Sequence, residues 1–331
     1  MSRTRIGKTK LIVPNLELLS YELDHGVKRF RLIAEPIEQS LTTGVTINAW
    51  GYNGSTPGPV MVVQQGERIQ VEFTNNLPEE TSVHWHGLIV PNTVDGVPEI
   101  GAGLVIRPGE TYVYDFVIRQ TGTFMYHSHV MDAQQEMMGL AGMIVSLPPQ
   151  GTVDREYVIL LQEWAVDTGT NMSMGGMQMN TGQQSKQSES MQISMGQQMG
   201  QSQNMNSQVL SINPMSMDFN YFTMNGKVFP DTAPLRVRFG ETVRIRLGNL
   251  SMDSHPMHLH GHEYRVVSSD GHYLPAPLFK NTLNVAPGET WDIEFQANNP
   301  GTWAFHCHKP HHTTNDHKTD MGGMFTVVQY V

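Results

Sequence analysis

The sequence predicts an all-β protein made of two Greek-key β-sandwich domains. Short segments such as RIQVEF (68–73) and TWDIEF (290–295) alternate polar and apolar residues, which is the pattern of a half-buried strand. Glycine, proline and asparagine separate these segments, and no long stretch has the 3.6-residue period of an amphipathic helix. Short strands with frequent turns are typical of β-sandwiches. The length of 331 residues suits about two such domains.

An internal repeat indicates that the two domains share one fold. VVQQGERIQVEFTNNL (62–77) resembles LRVRFGETVRIRLGNL (235–250). RPGETYVYDFVIRQTGTFMYHSH (107–129) resembles APGETWDIEFQANNPGTWAFHCH (286–308). The spacing from each repeated segment to the histidines that follow is also the same in both halves of the chain. Repetition at a fixed spacing is the signature of one structural unit used twice.

The repeat places domain one at about 1–150 and domain two at about 152–331. The segment REYVILLQEW (155–164) is predicted to be the first strand of domain two. The stretch 166–218 is rich in Gln, Ser, Asn and Gly and carries ten of the 22 methionines. It has little charge and almost no β-branched or aromatic residues, so it cannot bury enough apolar surface to fold alone. We therefore predict that it forms a flexible, Met-rich loop inserted in domain two.

Charge and composition exclude several classes of function. The net charge of −10 argues against nucleic acid or a membrane surface as the main partner. No apolar run reaches the length of a membrane span, and the single cysteine excludes an internal disulfide framework. The N-terminal segment is basic but lacks the apolar core of a signal peptide. We therefore expect a protein that is cytoplasmic, or associated with the cell or spore, unless a leader has been removed.

Four His-x-His pairs carry most of the chemical information. On a β-strand, residues i and i+2 project from the same face, so each pair presents two imidazoles side by side. The residue between them faces the other side. In the last pair this residue is Cys307, so one strand can serve two metal sites on its two faces. A lone histidine on a strand is usually structural, but four pairs, two in each repeat, indicate metal binding. The pairs are His84/His86, His127/His129, His258/His260 and His306/His308.

The residues around Cys307 suggest a mononuclear copper site. Structural zinc sites usually use several cysteines, whereas two imidazoles, one thiolate and a weak axial methionine form a blue-copper centre. His312 lies five residues after Cys307, and His255 opens the segment HPMHLH. In domain one, Thr81 occupies the position that corresponds to His255, and Ser128 the position that corresponds to Cys307. We therefore expect that only domain two holds a mononuclear site.

The four motifs together resemble those of multicopper oxidases, the family of laccases, ascorbate oxidase and bacterial copper-efflux oxidases. They are HWHG (84–87), YHSH (126–129), HPMHLHGH (255–262) and HCHKPHH (306–312). The resemblance spans both domains and implies two cupredoxin-like domains that hold four copper ions. It implies a type 1 copper bound by His255, Cys307 and His312, and a type 2 copper bound by His84 and His258. It also implies a type 3 pair bound by His86, His127, His129, His260, His306 and His308.

The axial ligand of the type 1 copper is where the sequence departs from the family pattern. The position ten residues after the cysteine, where the family commonly has methionine, is His317 here. If Phe325 opens the last strand, the spacing in the family makes Met321 the axial ligand. Met324 is the second choice and His317 the third.

Two further assignments, the second histidine ligand of the type 1 copper and the role of Asp95, each have an alternative. His311 could replace His312, although the spacing from the cysteine favours His312. Asp95, in the segment HWHGLIVPNTVDGVP, matches an acidic residue that members of the family keep near the oxygen-reducing cluster. The resemblance implies a role in proton supply for Asp95, and a simple Asp-Gly turn is the alternative.

The resemblance implies an oxidoreductase that couples one-electron oxidation of a reducing substrate to the four-electron reduction of O2 to water. Two substrate classes compete: phenols or aromatic amines, as for a laccase, and Cu(I), as for a cuprous oxidase. Thioethers prefer Cu(I), so the Met-rich segment favours the second class. A copper-binding, storage or copper-tolerance protein with little turnover is the alternative from another class. The auxiliary Cu(I) ligands would be Met172, Met174, Met177, Met179, Met191, Met195 and Met199.

The number of histidines in each domain predicts an oligomer. Each domain offers only four of the eight histidines of the oxygen-reducing cluster, so the cluster requires an interface between domains. Most of the family joins a first and a third domain, but the middle domain is absent here. We therefore expect domain one of one subunit to face domain two of another in a closed ring. Resemblance to two-domain laccases implies a homotrimer.

Overall fold

The computed structural model describes residues 2–6, 9–98, 100, 104–148, 153–169 and 209–331. Within these ranges, one short helix, α1, spans Asp132–Gln135, and two 3-10 turns span Asn92–Val94 and Pro310–Thr313. No helix in these ranges is long and apolar enough to cross a membrane. The strands are β1 (Ser2–Ile6), β2 (Thr9–Val13), β3 (Tyr21–Asp24), β4 (Val27–Thr42), β5 (Val45–Tyr52), β6 (Met61–Gln64), β7 (Arg68–Asn75), β8 (Thr111–Val117), β9 (Gly122–His127), β10 (Ala141–Leu147), β11 (Arg155–Trp164), β12 (Val166–Asp167), β13 (Val209–Ile212), β14 (Tyr221–Met224), β15 (Leu235–Val237), β16 (Thr242–Asn249), β17 (His255–Leu259), β18 (Tyr264–Ser269), β19 (His272–Lys280), β20 (Thr282–Val285), β21 (Thr290–Gln296), β22 (Thr302–Cys307) and β23 (Phe325–Tyr330).

The strands form two β-sandwiches, which confirms the all-β prediction. In the first sandwich, a sheet in the order β12-β13-β5-β4-β7-β8 packs on the sheet β6-β10-β9, and side chains such as Val71 and Tyr126 fill the core between them. In the second sandwich, the sheet β1-β2-β11-β16-β21-β18-β19 packs on β15-β23-β22-β17-β20 around side chains such as Ile245 and Phe305. Strand β3 adds to β4 in the first sandwich, and β14 adds to β11 in the second.

A third apolar layer joins the two sandwiches. Met125 on β9 and Val145 on β10 pack in one buried cluster with Leu160 on β11 and Leu11 on β2. Strand β11 coincides with the segment predicted to open domain two, and both of its faces are buried. Because β10 is also buried on both faces, close packing fixes the position of one sandwich against the other.

Strands cross the predicted domain boundary in both directions. The segment 2–13, predicted as part of domain one, forms β1 and β2, and β2 pairs in parallel with β11 of the second sandwich. In the opposite direction, β13 pairs in parallel with β5 of the first sandwich. The predicted loop 166–218 therefore contains two short strands, β12 at its start and β13 near its end. Leu210 and Ile212 on β13 pack against apolar neighbours beside that sheet. Residues 170–208 lie outside the described ranges, and with them the methionines proposed as Cu(I) ligands.

A buried network of charges ties the second sandwich to the first. Glu156 on β11 pairs with Arg244 and Arg246 on β16 at 3.0 and 2.8 Å. Arg246 also pairs with Asp292 on β21 at 2.8 Å, and Thr123 on β9 donates a hydrogen bond to Asp292 at 2.6 Å. All five side chains are buried, so the network links three neighbouring strands of domain two to a strand of domain one.

Candidate metal centres

Three buried ligand atoms converge at one end of the second sandwich. His255 begins β17, Cys307 ends β22, and His312 lies in the 3-10 turn that follows β22. Nδ1 of His255 lies 3.0 Å from Nδ1 of His312, and Cys307 Sγ lies 3.8 Å from the first nitrogen and 3.5 Å from the second. A metal ion about 2.0–2.3 Å from each ligand atom requires separations of this order. We call these three residues the mononuclear site.

In both imidazoles of the mononuclear site, the ring nitrogen that faces away from Cys307 has a polar neighbour. Nε2 of His255 lies 2.9 Å from Oγ of Ser251, and Nε2 of His312 lies 3.4 Å from Oδ2 of Asp253. The ring of Phe222 stacks on the ring of His312 with a centroid distance of 3.8 Å. These contacts turn the Nδ1 atom of each ring toward the thiol and leave it as the metal-binding atom.

Burial keeps the ligands of the mononuclear site uncharged when no metal is bound. It lowers the pKa of His255 well below its ordinary value and the pKa of His312 to about 4, so both imidazoles are neutral at pH 7. It raises the pKa of Cys307 to about 12, so the thiol is protonated. A metal ion must therefore displace the thiol proton as it binds, and its affinity rises with pH.

The two candidate axial methionines lie in different environments. Phe325 does open the last strand, but the side chain of Met321, four residues earlier, is 60% exposed. Met324 is fully buried in the same core cluster as Cys307. Its carbonyl accepts a hydrogen bond from the Cys307 N–H at 3.0 Å, and its N–H donates to the carbonyl of His312 at 2.7 Å. Burial and backbone register therefore favour Met324, the second choice, over Met321.

The remaining alternatives lie on the surface. His311 and His317 are both exposed, and their ring centroids are 6.3 Å apart. His312, by contrast, is only 5% exposed and faces the thiol. The geometry therefore agrees with the spacing argument that preferred His312.

Domain one brings together four histidines that we call the first half-site: His84, His86, His127 and His129. The backbones of His84 and His127 pair directly, and their ring centroids are 5.3 Å apart. The ring of His129 lies 5.4 Å from that of His84, and Nδ1 of His86 lies 3.2 Å from Nε2 of His127. Trp85, between the first two histidines, is fully buried in the core of the first sandwich, although only His84 forms a β-bridge in this segment.

Domain two repeats this arrangement in the second half-site: His258, His260, His306 and His308. The ring of His258 lies 5.8 Å from that of His306 and 5.5 Å from that of His308. Nε2 of His260 lies 3.0 Å from Nε2 of His306. His260 and His308 are exposed. Cys307, between the last pair, faces the mononuclear site on the opposite side of β22.

The two half-sites remain separate within one chain. Each contains close ring pairs, and among the described residues every close ring contact between these eight histidines lies inside one half-site. Three ligand atoms of the first half-site, from His84, His86 and His127, lie close enough together to hold a metal ion. The described part of the chain thus presents the mononuclear site and two separate sets of four imidazoles.

Backbone carbonyls set the tautomer of four histidines in the half-sites. A carbonyl accepts a hydrogen bond only from an N–H, so each contact places the proton on Nδ1 and leaves the lone pair of Nε2 for a metal. This contact between Nδ1 and a backbone carbonyl oxygen occurs at matching positions of the repeat. The pairs are His84 with Asp95 (2.9 Å), His127 with Ser128 (2.8 Å), His258 with Asn281 (2.7 Å) and His306 with Cys307 (2.9 Å).

Two carboxylates lie beside the first half-site. Oδ1 of Asp95 is 3.4 Å from Nδ1 of His84, so the acidic residue singled out in the sequence does lie next to these histidines. Oε1 of Glu136 is 2.8 Å from Nδ1 of His127. The sequence did not reveal Glu136, because a turn and helix α1 separate it from the YHSH motif and only the fold returns it to His127.

Domain one has a hydrogen-bonded cluster at the place of the mononuclear site. Thr81 and Ser128, which match His255 and Cys307 in the repeat, have their hydroxyl oxygens 3.1 Å apart. Thr81 donates to Oε1 of Gln135 at 2.8 Å, and Ser128 donates to the same oxygen. These polar groups satisfy one another, so the place is filled by hydroxyl and amide groups that are poor ligands for copper.

Two family models, each described as multicopper oxidase, match residues 34–151 and 183–327 of this chain. The chain belongs to the multicopper oxidase family. Copper resistance protein A of Escherichia coli is 31% identical over 278 residues, which cover 76% of this chain and 43% of that protein. The chain therefore spans less than half the length of this curated relative.

Two solved structures show the same architecture over most of both chains. The blue copper oxidase of Nitrosomonas europaea has a TM-score of 0.71 and 27% identity, and the match covers 91% of this chain and 85% of that one. The multicopper oxidase mgLAC has a TM-score of 0.71 and 29% identity, with coverage of 91% and 86%. The likeness in fold confirms two cupredoxin-like sandwiches.

The donor atoms of this chain fit copper, the metal that membership of a multicopper oxidase family implies. The mononuclear site offers two neutral imidazole nitrogens and one thiol sulfur, with a buried thioether in the same core. This is the donor set of a blue-copper centre. The half-sites offer imidazoles alone, which also suit copper.

Proposed function

We propose that this protein couples one-electron oxidation of a small reducing substrate to the four-electron reduction of O2 to water. The mononuclear site is the type 1 copper site, and His84 and His258 hold the type 2 copper. Copper bound at these positions supplies one-electron transfer and the reduction of O2. The type 3 pair is held by His86, His127, His129, His260, His306 and His308, which gives four copper ions in each functional unit.

The position of Cys307 between two histidines carries this proposal. Its sulfur faces the mononuclear site, whereas the imidazoles of His306 and His308 face the second half-site across β22. A few covalent bonds of one strand therefore connect the place where an electron enters with the place where O2 is reduced. Copper storage does not require electron transfer between two metal sites, so this covalent connection favours an oxidase over a storage protein.

Copper content and oxygen uptake, measured on the same preparation, test the proposed function. The copper-loaded protein should contain four copper ions for each mononuclear site, absorb strongly in the orange-red and consume O2 when a phenol or Cu(I) is added. A colourless copper protein without oxygen uptake would instead support the storage alternative. Removal of copper by a chelator should abolish both the colour and the oxygen uptake, and copper alone should restore them.

Met324 is proposed as the axial ligand, because it is buried beside Cys307 and joined to it by a backbone hydrogen bond. Met324→Leu should keep the orange-red absorption but raise the reduction potential of the mononuclear site, because the weak thioether ligand is lost. Met321→Leu is the matched control, and since Met321 is 60% exposed it should leave the potential unchanged. If only Met321→Leu changed the reduction potential, the axial ligand would be Met321 and not Met324.

Cu(I) is the substrate class that we favour over phenols and aromatic amines. Thr168, near the start of the Met-rich segment, and Asn220, two residues after its end, both donate to Oδ1 of Asp316, at 3.2 and 3.0 Å. Asp316 lies four residues after His312, so both borders of the segment contact the loop that follows this ligand of the mononuclear site. Relatives named copper resistance protein A are consistent with a copper substrate.

Replacing the seven methionines between 172 and 199 by serine tests the substrate class. Cu(I) oxidation should slow by about tenfold or more, because thioethers that collect the soft ion are lost. Oxidation of a phenol should stay the same or rise. A matched variant, in which seven glutamines of the same segment become serine, should oxidise both substrates like the wild type. Unchanged Cu(I) turnover after the methionine replacement would remove Cu(I) as the favoured substrate.

Assembly into a homotrimer would complete the oxygen-reducing cluster. His260 and His308 of the second half-site are exposed, and nearby β19 exposes Leu278 and Phe279 by 57% and 65%. Strand β19 ends one residue before Asn281, whose carbonyl binds His258. A second subunit whose first half-site covers this face would bury the apolar side chains and supply the missing imidazoles. We propose that Asp95, whose Oδ1 lies 3.4 Å from Nδ1 of His84, supplies protons to this cluster.

A further inference from the structure

Glu163 is a buried carboxyl group that the proposed reaction does not use. It lies on β11 next to the mononuclear site, and its side chain is 0% exposed. In the described part of the chain, its Oε2 has no hydrogen-bond partner and lies 3.8 Å from Nε2 of His255. An unpartnered polar atom in the interior is costly. Such a residue in the core is informative about function, because an apolar side chain would fill the same space without that cost.

The other oxygen of Glu163 holds a short loop. Oε1 accepts hydrogen bonds from the N–H groups of Met252 and Asp253 at 2.7 and 2.8 Å. This loop runs from the end of β16 at Asn249 to the start of β17 at His255. Two hydrogen bonds to one buried oxygen fix the backbone in the middle of the loop.

The same loop orients the imidazole of His255. The hydroxyl of Ser251 donates to Oδ1 of Asn249 at 2.5 Å, so its oxygen is left to accept a hydrogen bond from Nε2 of His255 at 2.9 Å. This direction places the proton of His255 on Nε2 and its lone pair on Nδ1, which faces Cys307. The loop also brings Oδ2 of Asp253 within 3.4 Å of the other imidazole of the site.

We propose that Glu163 is a positioning residue of the mononuclear copper site, acting through the loop that carries Ser251 and Asp253. It does not bind the metal; it holds the groups that aim Nδ1 of both imidazoles at the thiolate. The inference rests on the proposed function only in requiring copper at the mononuclear site. Loss of a group that orients metal ligands typically weakens metal binding by about 10- to 100-fold.

Competition with a copper chelator, read by the orange-red absorption, tests this role. Glu163→Ala should weaken copper at the mononuclear site by about 10- to 100-fold and alter the absorption, while the copper content of the cluster stays the same. Glu163→Gln keeps an oxygen at the position of Oε1, so it should restore most of the affinity. Wild-type affinity and colour in Glu163→Ala would overturn the proposal, as would a loss in Glu163→Gln equal to that in Glu163→Ala.

Ser251→Ala provides a second and milder variant. It removes only the hydroxyl group that binds His255, so it should also weaken copper at the mononuclear site. If Glu163 acts through this loop, the double variant Glu163→Ala/Ser251→Ala should lose less affinity than the sum of the two single losses. Unchanged binding in Ser251→Ala, or fully additive losses, would contradict the proposal. A wild-type protein without copper at the mononuclear site would instead refute the proposed function.

Discussion

Cys307→Ser is expected to abolish both the orange-red absorption and the consumption of O2. The thiolate is the ligand that gives a blue-copper centre its colour, and its strand connects the mononuclear site to the second half-site. A hydroxyl at this position, which is 1% exposed, cannot replace the sulfur as a soft ligand. The measurement is visible absorption together with oxygen uptake on a phenol and on Cu(I).

The controls for Cys307→Ser separate loss of function from loss of fold. A buried serine costs roughly 1–3 kcal/mol if its hydroxyl finds no partner, which a protein of this size is expected to tolerate. Circular dichroism should therefore be unchanged, and the half-sites, whose ligands are untouched, should still bind copper. A variant that keeps its colour, or that keeps consuming O2 at the wild-type rate, would contradict the assignment of Cys307.

Glu156→Gln is expected to lower the free energy of unfolding by about 1.5–3 kcal/mol, because it removes the buried carboxylate that Arg244 and Arg246 share. Each arginine keeps one other buried carboxylate, Glu294 for Arg244 and Asp292 for Arg246. Burial opposes the ionisation of Glu156, but the two guanidinium groups outweigh it and hold its pKa below the ordinary value. The ionised carboxylate thus stabilises the fold above the pKa of an unfolded glutamate. This contribution is lost as the pH falls through the lowered folded-state pKa.

Urea unfolding of the metal-free protein measures this difference. Glu72→Gln is the matched control, because Glu72 forms an exposed pair with Arg31 at 3.9 Å and exposed pairs contribute only about 0–1 kcal/mol. The difference in free energy of unfolding between the wild type and Glu156→Gln should become smaller in acid, where neither protein carries the carboxylate charge at position 156. A Glu156→Gln variant as stable at pH 7 as Glu72→Gln would show that the buried network does not hold the strands together.

The parts of the site that could be predicted from the sequence are those encoded locally. Strand alternation places His306 and His308 on one face and Cys307 on the other, and the structure has this arrangement. The repeat likewise predicted matching half-sites, because the spacing between motifs sets which histidines meet. These inferences need only the period of a strand and the distance along the chain.

The parts that could not be predicted depend on contacts between distant segments. The pairing of β2 with β11 and of β13 with β5 brings together residues that no local pattern connects. Family spacing counts residues along the chain and places Met321 first, whereas the burial of Met324 beside Cys307 depends on the fold. Glu136 and Glu163 approach their histidines only after folding. Side chains that support a site are therefore harder to predict than its ligands.

Mixing two inactive variants tests the central claim that the cluster forms between subunits. His86→Ala disables the first half-site and His260→Ala the second, so neither variant alone should reduce O2. In a closed ring that joins the first half-site of one subunit to the second of the next, random co-assembly in equal amounts regenerates about one quarter of the intact clusters. We expect oxygen uptake near one quarter of the wild-type rate from oligomers with the mass of a trimer. No recovery after co-assembly, or a monomer that carries all four copper ions, would contradict it.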